Sequence, residues 1–579
     1  MPCTNNQGVN AMLKGIGASS GIGIGKVLLI KEHDLSYVPK AVENVQSELA
    51  RYQNAVEDFC SATLEKAERL KKTAGEKEAE ILRGHVLMLQ DPYMREEMEK
   101  LIESGQCAES ALESVCDMFI SIFSSTNDDL TNQRATDVKD IKNGILRILL
   151  GREEVDISKA RPGTVLVTAE LTPSMTAGIC KENIAGIITQ TGSKTSHSAI
   201  LARALEIPAV LSLEHAADIL HDGDIVILDG DSGKVLQSPD PAQLADYTAQ
   251  QKAYLEERKA LKVFIGKQTA TKDGCIVQLA ANIGTPLDAQ AAFDNDCEGI
   301  GLFRTEFLFM DQTALPTEET QFEAYKKVAL LMKGKPVIIR TLDIGGDKEI
   351  PYLGLQKEEN PFLGFRAVRF CLKRTDIYKS QLRALLRASA YGDIRIMVPL
   401  VTRVEELRQV KVLLAQLKDE LTDQGVPFNS TIPLGVMMET PASAVIADLL
   451  AKEADFFSIG TNDLTQYTMC ADRGNANVAY LYSHYDPAVL RMIRRIIACA
   501  KDAGILAGMC GEAAADPLLI PLLISFGLEE YSVSPTSILA TRKAIAAWSK
   551  EEADLLAQKV MSLSTQQEVL RCLTEHARR

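Results

Sequence analysis

The sequence predicts a multidomain α/β protein: a β/α domain with an all-helical insert, followed by a C-terminal (β/α)8 barrel of the TIM type. Three observations carry this prediction. Eight apolar β-type runs recur through residues 267–579, most of them separated by amphipathic stretches. Residues 156–238 alternate apolar runs with helical segments. Residues 32–155 contain few Gly or Pro and show helical spacing. At ~150 residues per domain, a chain of 579 residues has room for about three to four domains.

Taken in chain order, residues 12–31 (MLKGIGASSGIGIGKVLLIK) read as short strands joined by glycines. The segment GIGASSGIGIG (15–25) has no GK[ST] and no clear helix directly after it. It therefore reads as a glycine-rich hairpin rather than a nucleotide loop. In the helical stretch, Val86, Leu89, Tyr93 and Leu101 alternate with Arg95, Glu96 and Glu99. The runs TVLVTA (164–169), IAGIITQ (184–190) and IVILD (225–229) give residues 156–238 their α/β texture. Residues 239–266 are polar and charged and read as a linker helix. The eight runs of the barrel are 276–282, 298–304, 336–343, 394–400, 432–439, 455–460, 505–510 and 528–534. Such barrels carry their chemistry at the C-terminal ends of the strands. Several runs end in or near a reactive side chain: Arg304, Arg340, Glu439, the pair Asn462 and Asp463, and Cys510.

Composition narrows the function classes. Hydrophobic residues are 46% and charged residues 24%, which excludes wholesale disorder and collagen-like chains. A net charge of −15 disfavours a large nucleic-acid interface and suits a basic partner. No apolar run approaches the ~20 residues of a membrane span. The N-terminal MPCTNNQGVNAMLKG lacks the pattern of a signal peptide, so a cytoplasmic protein is expected. The twelve cysteines are scattered without a CxxC pair, unlike a disulfide framework or a zinc site.

Four constellations bear on chemistry. In TGSKTSHSAILARA (191–204), Thr195 fits an N-cap with the helix starting at Ser196, so His197 falls in the first turn. The helix dipole there disfavours a protonated imidazole and favours added negative charge, which suits a neutral imidazole that gains a phosphoryl group. The alternative is a polar helix start packed on the sheet. Arg304, Arg340 and Arg473, with Lys348 in IGGDK, form a cationic set fit for a small polyanionic substrate, or else surface ion pairs. Glu439 and Asp463, on neighbouring strand ends, can hold one Mg²⁺ with substrate oxygens and water, or else answer an arginine. Cys510 in GMCGE can protonate a carbanion-like carbon, or is a small buried hydrophobe.

Together the stretches LTPSMTA, GSKTSHSAILARALEIPA, GIGLFRTEFLFMD, IIRTLDIGGDKE, NPFLGFRAVR, VMMETPASA, DFFSIGTNDLTQYT, DRGN and GMCGE resemble enzyme I of the bacterial phosphotransferase system, the phosphoenolpyruvate–protein phosphotransferases. The resemblance runs from about residue 12 to the end. It implies that phosphoenolpyruvate binds in the barrel with Mg²⁺. Its phosphoryl group then passes to His197, and from there to the histidine of a small carrier protein, HPr, in the first step of sugar uptake. By the same resemblance Arg304, Arg340, Arg473, Asn462, Asp463 and Lys348 are substrate ligands, Glu439 and Asp463 hold Mg²⁺, and Cys510 protonates the enolate to give pyruvate. The implied organisation is a swivelling phosphohistidine domain (1–31 and 156–238), a helical HPr-binding insert (32–155), a linker helix (239–266) and a phosphoenolpyruvate-binding barrel (267–579) that forms a homodimer. His85, Met88 and Leu89 are expected to be the carrier's landing surface, with Asp91, Glu96 and Glu97 attracting it. One departure is GSKTSH where the family often has GGRTSH, so Lys194 keeps the charge without the guanidinium fork. Dikinases that share the His domain and barrel would need an ATP-binding domain before residue 160, where the chain reads helical. A sensor that only binds phosphoenolpyruvate, and a barrel lyase with a passenger N-terminal half, are the readings from other classes.

Overall fold

The computed structural model describes the chain except for residues 1–11, 31–34, 41, 74–75, 90, 125–128, 153–156, 172–174, 176–178, 193–196, 206, 311–313, 346–349, 357, 476 and 579. It divides into two compact units, Met1–Arg258 and Lys259–Arg579.

The first unit contains an eight-stranded sheet: β1 (Met12–Lys14), β2 (Ile16–Ser19), β3 (Ile22–Ile30), β4 (Thr164–Thr168), β5 (Ile184–Thr189), β6 (Ala209–Leu211), β7 (Ile225–Asp229) and β8 (Lys234–Gln237). Its order is β1-β8-β7-β3-β4-β5-β6-β2. Strands β3 to β6 run parallel, and β4 is buried at every position, as its unbroken apolar run requires. The Gly-rich start is not a hairpin. Strand β2 pairs with β6 while β3 pairs with β4 and β7, so the chain turns at Gly21 and enters the sheet elsewhere. Glycine is used here for close approach: a Cβ on Gly25 would overlap the carbonyl of Gly163.

Five helices follow β3 in sequence: α1 (Val45–Thr73), α2 (Glu76–Leu89), α3 (Pro92–Glu103), α4 (Ala108–Ser124) and α5 (Asp129–Leu149). Helix α3 shows why the chain breaks where it does. Pro92 occupies its first turn, and the Asp91 carboxylate accepts from the backbone N–H groups of Tyr93 and Met94. Its buried Met94, Met98 and Ile102 join Tyr52, Leu112 and Ile141 in a separate helical core. The expected landing surface is corrected here. His85 is 1% exposed, with Nε2 3.3 Å from Asp137 Oδ1, and Leu89 is 6% exposed in the core, because the apolar stripe of α2 packs inward. Met88 is partly buried against the same core. Leu87, on the outer face, is 67% exposed, and Tyr93, Met118 and Ile122 are exposed as well. Helix α6 (His197–Ala204) returns to the sheet, and α7 (Pro241–Leu261) leads toward the second unit.

The second unit is a closed parallel barrel of β9 (Gln278–Ile283), β10 (Ile300–Arg304), β11 (Val337–Arg340), β12 (Ile394–Val398), β13 (Leu434–Met438), β14 (Phe456–Ile459), β15 (Leu506–Met509) and β16 (Glu530–Val533). Each strand pairs in parallel with the next, and β16 pairs with β9 to close it. Alternation sorts the side chains: Val337 and Ile339 join the large core beneath the surrounding helices, whereas Ile338, Leu302, Met397, Met437 and Phe456 form a second cluster within the barrel. No described helix is long and apolar enough to cross a membrane.

Candidate active site

The barrel strands deliver most of the expected residues to one end. Arg304 and Arg340 are the last residues of β10 and β11 and lie opposite each other in register. Glu439 follows β13, and Cys510 follows β15. Asn462 and Asp463 open helix α9 (Thr461–Met469), which begins two residues after β14; α8 (Ala367–Lys373) contributes the residue at its cap, Arg366.

The side chains form an alternating line of charge. Arg340 Nη2 lies 2.5 Å from Glu306 Oε1, and its Nη1 lies 3.0 Å from Asp343 Oδ2. Asp343 Oδ1 accepts from Arg366 Nη2 at 2.8 Å. Arg366 Nη1 is 3.4 Å from Asp463 Oδ2, and Arg473 Nη1 is 3.3 Å from Asp463 Oδ1. All members are buried except Arg473, whose side chain is 38% exposed at the open end. The alternation answers the cost of burying charge, since each ion has an opposite neighbour. Two donors remain over: Nε of Arg340 and Nε of Arg366 are buried without a hydrogen-bond partner.

Glu439 stands beside this line. Its Oε1 accepts from Leu400 N at 2.6 Å. Burial, then the charges of Asp463 and Asp343, push its carboxyl up to about 8 against the pull of Arg340 and Arg366. Leu400 holds a left-handed φ of 55° and Ala367, next to Arg366, one of 51°. Non-glycine residues in that region cost on the order of 1–3 kcal/mol each, and such strain collects at functional sites.

Two buried carboxylates, Glu439 and Asp463, that offer only hard oxygens fit a divalent cation of the Mg²⁺ kind. Among the described residues no group of three or more His, Cys, Asp or Glu converges on a metal position, so remaining ligands would come from substrate and water.

Cys510 is buried, and burial pushes its thiol up to about 11, with Ser458, Arg340 and Arg304 pulling the other way. Asn462 Oδ1 accepts from Glu512 N at 3.2 Å, tying the start of α9 to the loop after Cys510.

His197 is the first residue of α6, in the other unit. The expected cap Thr195, with Lys194 and Lys348, lies outside the described residues. Sequence reasoning missed Glu306, Asp343 and Arg366. The first two follow strand-end arginines at i+2 and i+3, a signal that was present; Arg366 caps a helix and ends no strand.

The chain matches the PEP-utilising enzymes in three segments: their N-terminal region over residues 14–134, their mobile domain over 160–233 and their PEP-binding domain over 258–550. It is 46% identical over 563 residues to the phosphoenolpyruvate-protein phosphotransferase of Bacillus sp. (strain S), covering 96% of this chain and 97% of that one. The same identity and coverage hold for the protein of that name from Geobacillus stearothermophilus. The one from Bacillus subtilis (strain 168) is 44% identical over 568 residues, covering 97% of this chain and 99% of its own length. The barrel strands and the charged line at the barrel's end fall inside the PEP-binding match and His197 inside the mobile-domain match, and with relatives this similar over nearly its whole length the chain belongs to the phosphoenolpyruvate-protein phosphotransferase family.

Proposed function

We propose that this enzyme transfers the phosphoryl group of phosphoenolpyruvate to His197 and then to the histidine of HPr, releasing pyruvate as the first step of sugar uptake. The two orphaned guanidinium nitrogens beside a line of paired charge are the observation that carries the reading. A small polyanion supplies the acceptors they need.

Arg304, Arg340 and Arg473 orient the phosphate and carboxylate of the substrate, with Asn462 and Lys348 completing the set. Because the buried arginines are already held by carboxylates, they need little rearrangement to meet charge as it develops. Glu439 and Asp463 would hold Mg²⁺, which when bound neutralises phosphate charge. His197 approaches as a neutral imidazole at a helix start, where the dipole favours its phosphorylated form. The Cys510 Sγ–H proton goes to the methylene carbon of the enolate, giving pyruvate. The exposed Leu87, Tyr93, Met118 and Ile122 of α2 to α4 offer HPr an apolar landing surface, with Asp91 and Glu96 drawing in a basic carrier. Pairing of two chains through the barrel belongs to the same reading.

The test uses phosphoenolpyruvate labelled on phosphorus, Mg²⁺ and a His197→Ala control. Acid-labile, base-stable label on the unaltered protein alone, with stoichiometric pyruvate, is expected. Bound phosphoenolpyruvate without label would leave a sensor in place of a transferase.

A further inference from the structure

Glu530 opens β16 inside the barrel and is 1% exposed. Register places it level with Gly508 on β15, and Gly508 level with Ser458 on β14. Gly508 has no side chain to separate them. A Cβ there would lie 2.9 Å from Glu530 Oε1, and one on Gly301 would lie 2.6 Å from the same oxygen. The two glycines thus hollow out a seat for a carboxyl in the barrel interior.

Glu530 Oε1 and Ser458 Oγ are both buried and make no hydrogen bond of good geometry. Cys510 follows Gly508 by two residues and so faces inward one layer nearer the site. The Ser458 hydroxyl reaches its thiol closely enough to oppose the effect of burial. Carboxyl and hydroxyl therefore share one interior layer on either side of Gly508, and the thiol lies one layer nearer the site. Burial pushes the carboxyl up to about 7, with Arg395 of β12 as the charged group that pulls it back. Gln278, its neutral register partner on β9, and Ser532 lie on the adjoining positions.

We propose that Glu530 is the proton reserve that recharges Cys510 through Ser458. The proposal rests on Cys510 being the proton donor. When the S–H bond breaks and the C–H bond of pyruvate forms, a thiolate remains. The Ser458 hydroxyl gives its proton to that sulfur as it receives one from the Glu530 carboxyl by way of a bridging water. Glu530, left as a carboxylate, takes a proton from solvent at the N-terminal mouth of the barrel, where Arg395 pairs with Asp393 at 2.8 Å. Glu530 touches no substrate atom and acts through Cys510. In reverse, the line carries off the proton that the thiolate takes from the methyl group of pyruvate.

The test follows hydrogen exchange at the methyl group of deuterated pyruvate by NMR, with phosphorylated full-length enzyme and Mg²⁺. A second readout compares the first-turnover release of pyruvate with the steady state across pH. Glu530→Gln is expected to slow exchange by about tenfold or more, to leave the first turnover intact because the thiol already holds its proton, and to remove the pH dependence near neutrality. Ser458→Ala gives the same pattern and stands in if Glu530→Gln misfolds; Glu530→Asp restores part of the exchange. Wild-type exchange and an unchanged pH profile in both Glu530→Gln and Ser458→Ala would overturn the proposal. Continued exchange in Cys510→Ala would instead remove Cys510 as the donor, a separate failure.

Discussion

Arg340 sits where substitution should discriminate most sharply between structure and binding. Its removal takes a counter-ion from two buried carboxylates, Glu306 and Asp343. Arg340→Met should cost about 3–5 kcal/mol of stability. Arg473→Met, at the exposed end of the same line, should cost no more than about 1 kcal/mol while still weakening phosphoenolpyruvate binding. Denaturant melts beside substrate titrations separate the two. Glu530 gives a pH signature of another kind. Its carboxyl is raised from 4.5 to about 7 in the fold, so the stability it contributes is full below pH 4.5 and is lost as pH rises through 7. The loss is on the order of 3 kcal/mol at about 1.4 kcal/mol per pKa unit. Melting temperatures should fall across that window in the wild type and stay flatter in Glu530→Gln.

Elements differed in how openly the sequence announced them. The eight barrel strands were readable because each lies in a short, mostly buried run of aliphatic, aromatic or methionine side chains, bounded by charge or turn residues. The Gly-rich start was not. Glycine carries no hydropathic period, so nothing local distinguishes a hairpin from two strands joining distant partners, as β2 and β3 do. In α2, Leu87 and Leu89 look equally apolar in sequence, but only the second faces the helical core. Residues carried on strand ends, such as Arg304, Arg340 and Glu439, were legible within the candidate site, whereas Arg366 arrives from a loop and is brought in by tertiary structure alone. Helix α3 offers a direct test of element-level reasoning. Asp91→Ala removes the carboxylate that accepts from two backbone donors, and should destabilise the helical region by ~1 kcal/mol. Hydrogen exchange along Pro92–Glu103 would report the loss as faster opening of the first turn.

For the whole molecule, the excess of acidic residues sets the terms of encounter. On the proposed reading, a net charge of −15 would speed the approach of a basic carrier, and added salt would slow it by screening the field. The association rate with HPr should fall by about tenfold or more between low salt and about 0.5 M. Leu87→Lys should raise the KM for the carrier and leave exchange between phosphoenolpyruvate and pyruvate unchanged; stopped-flow and isotope exchange measure the two. The alternating charges at the barrel's end also bear on descent. Alter one interior member among Arg340, Asp343 and Arg366 and two neighbours each lose one counter-ion. Lineages can therefore revise that end of the barrel only through paired, charge-swapping substitutions, while the aliphatic layers around Ile338 and Met397 are free to drift one methyl group at a time.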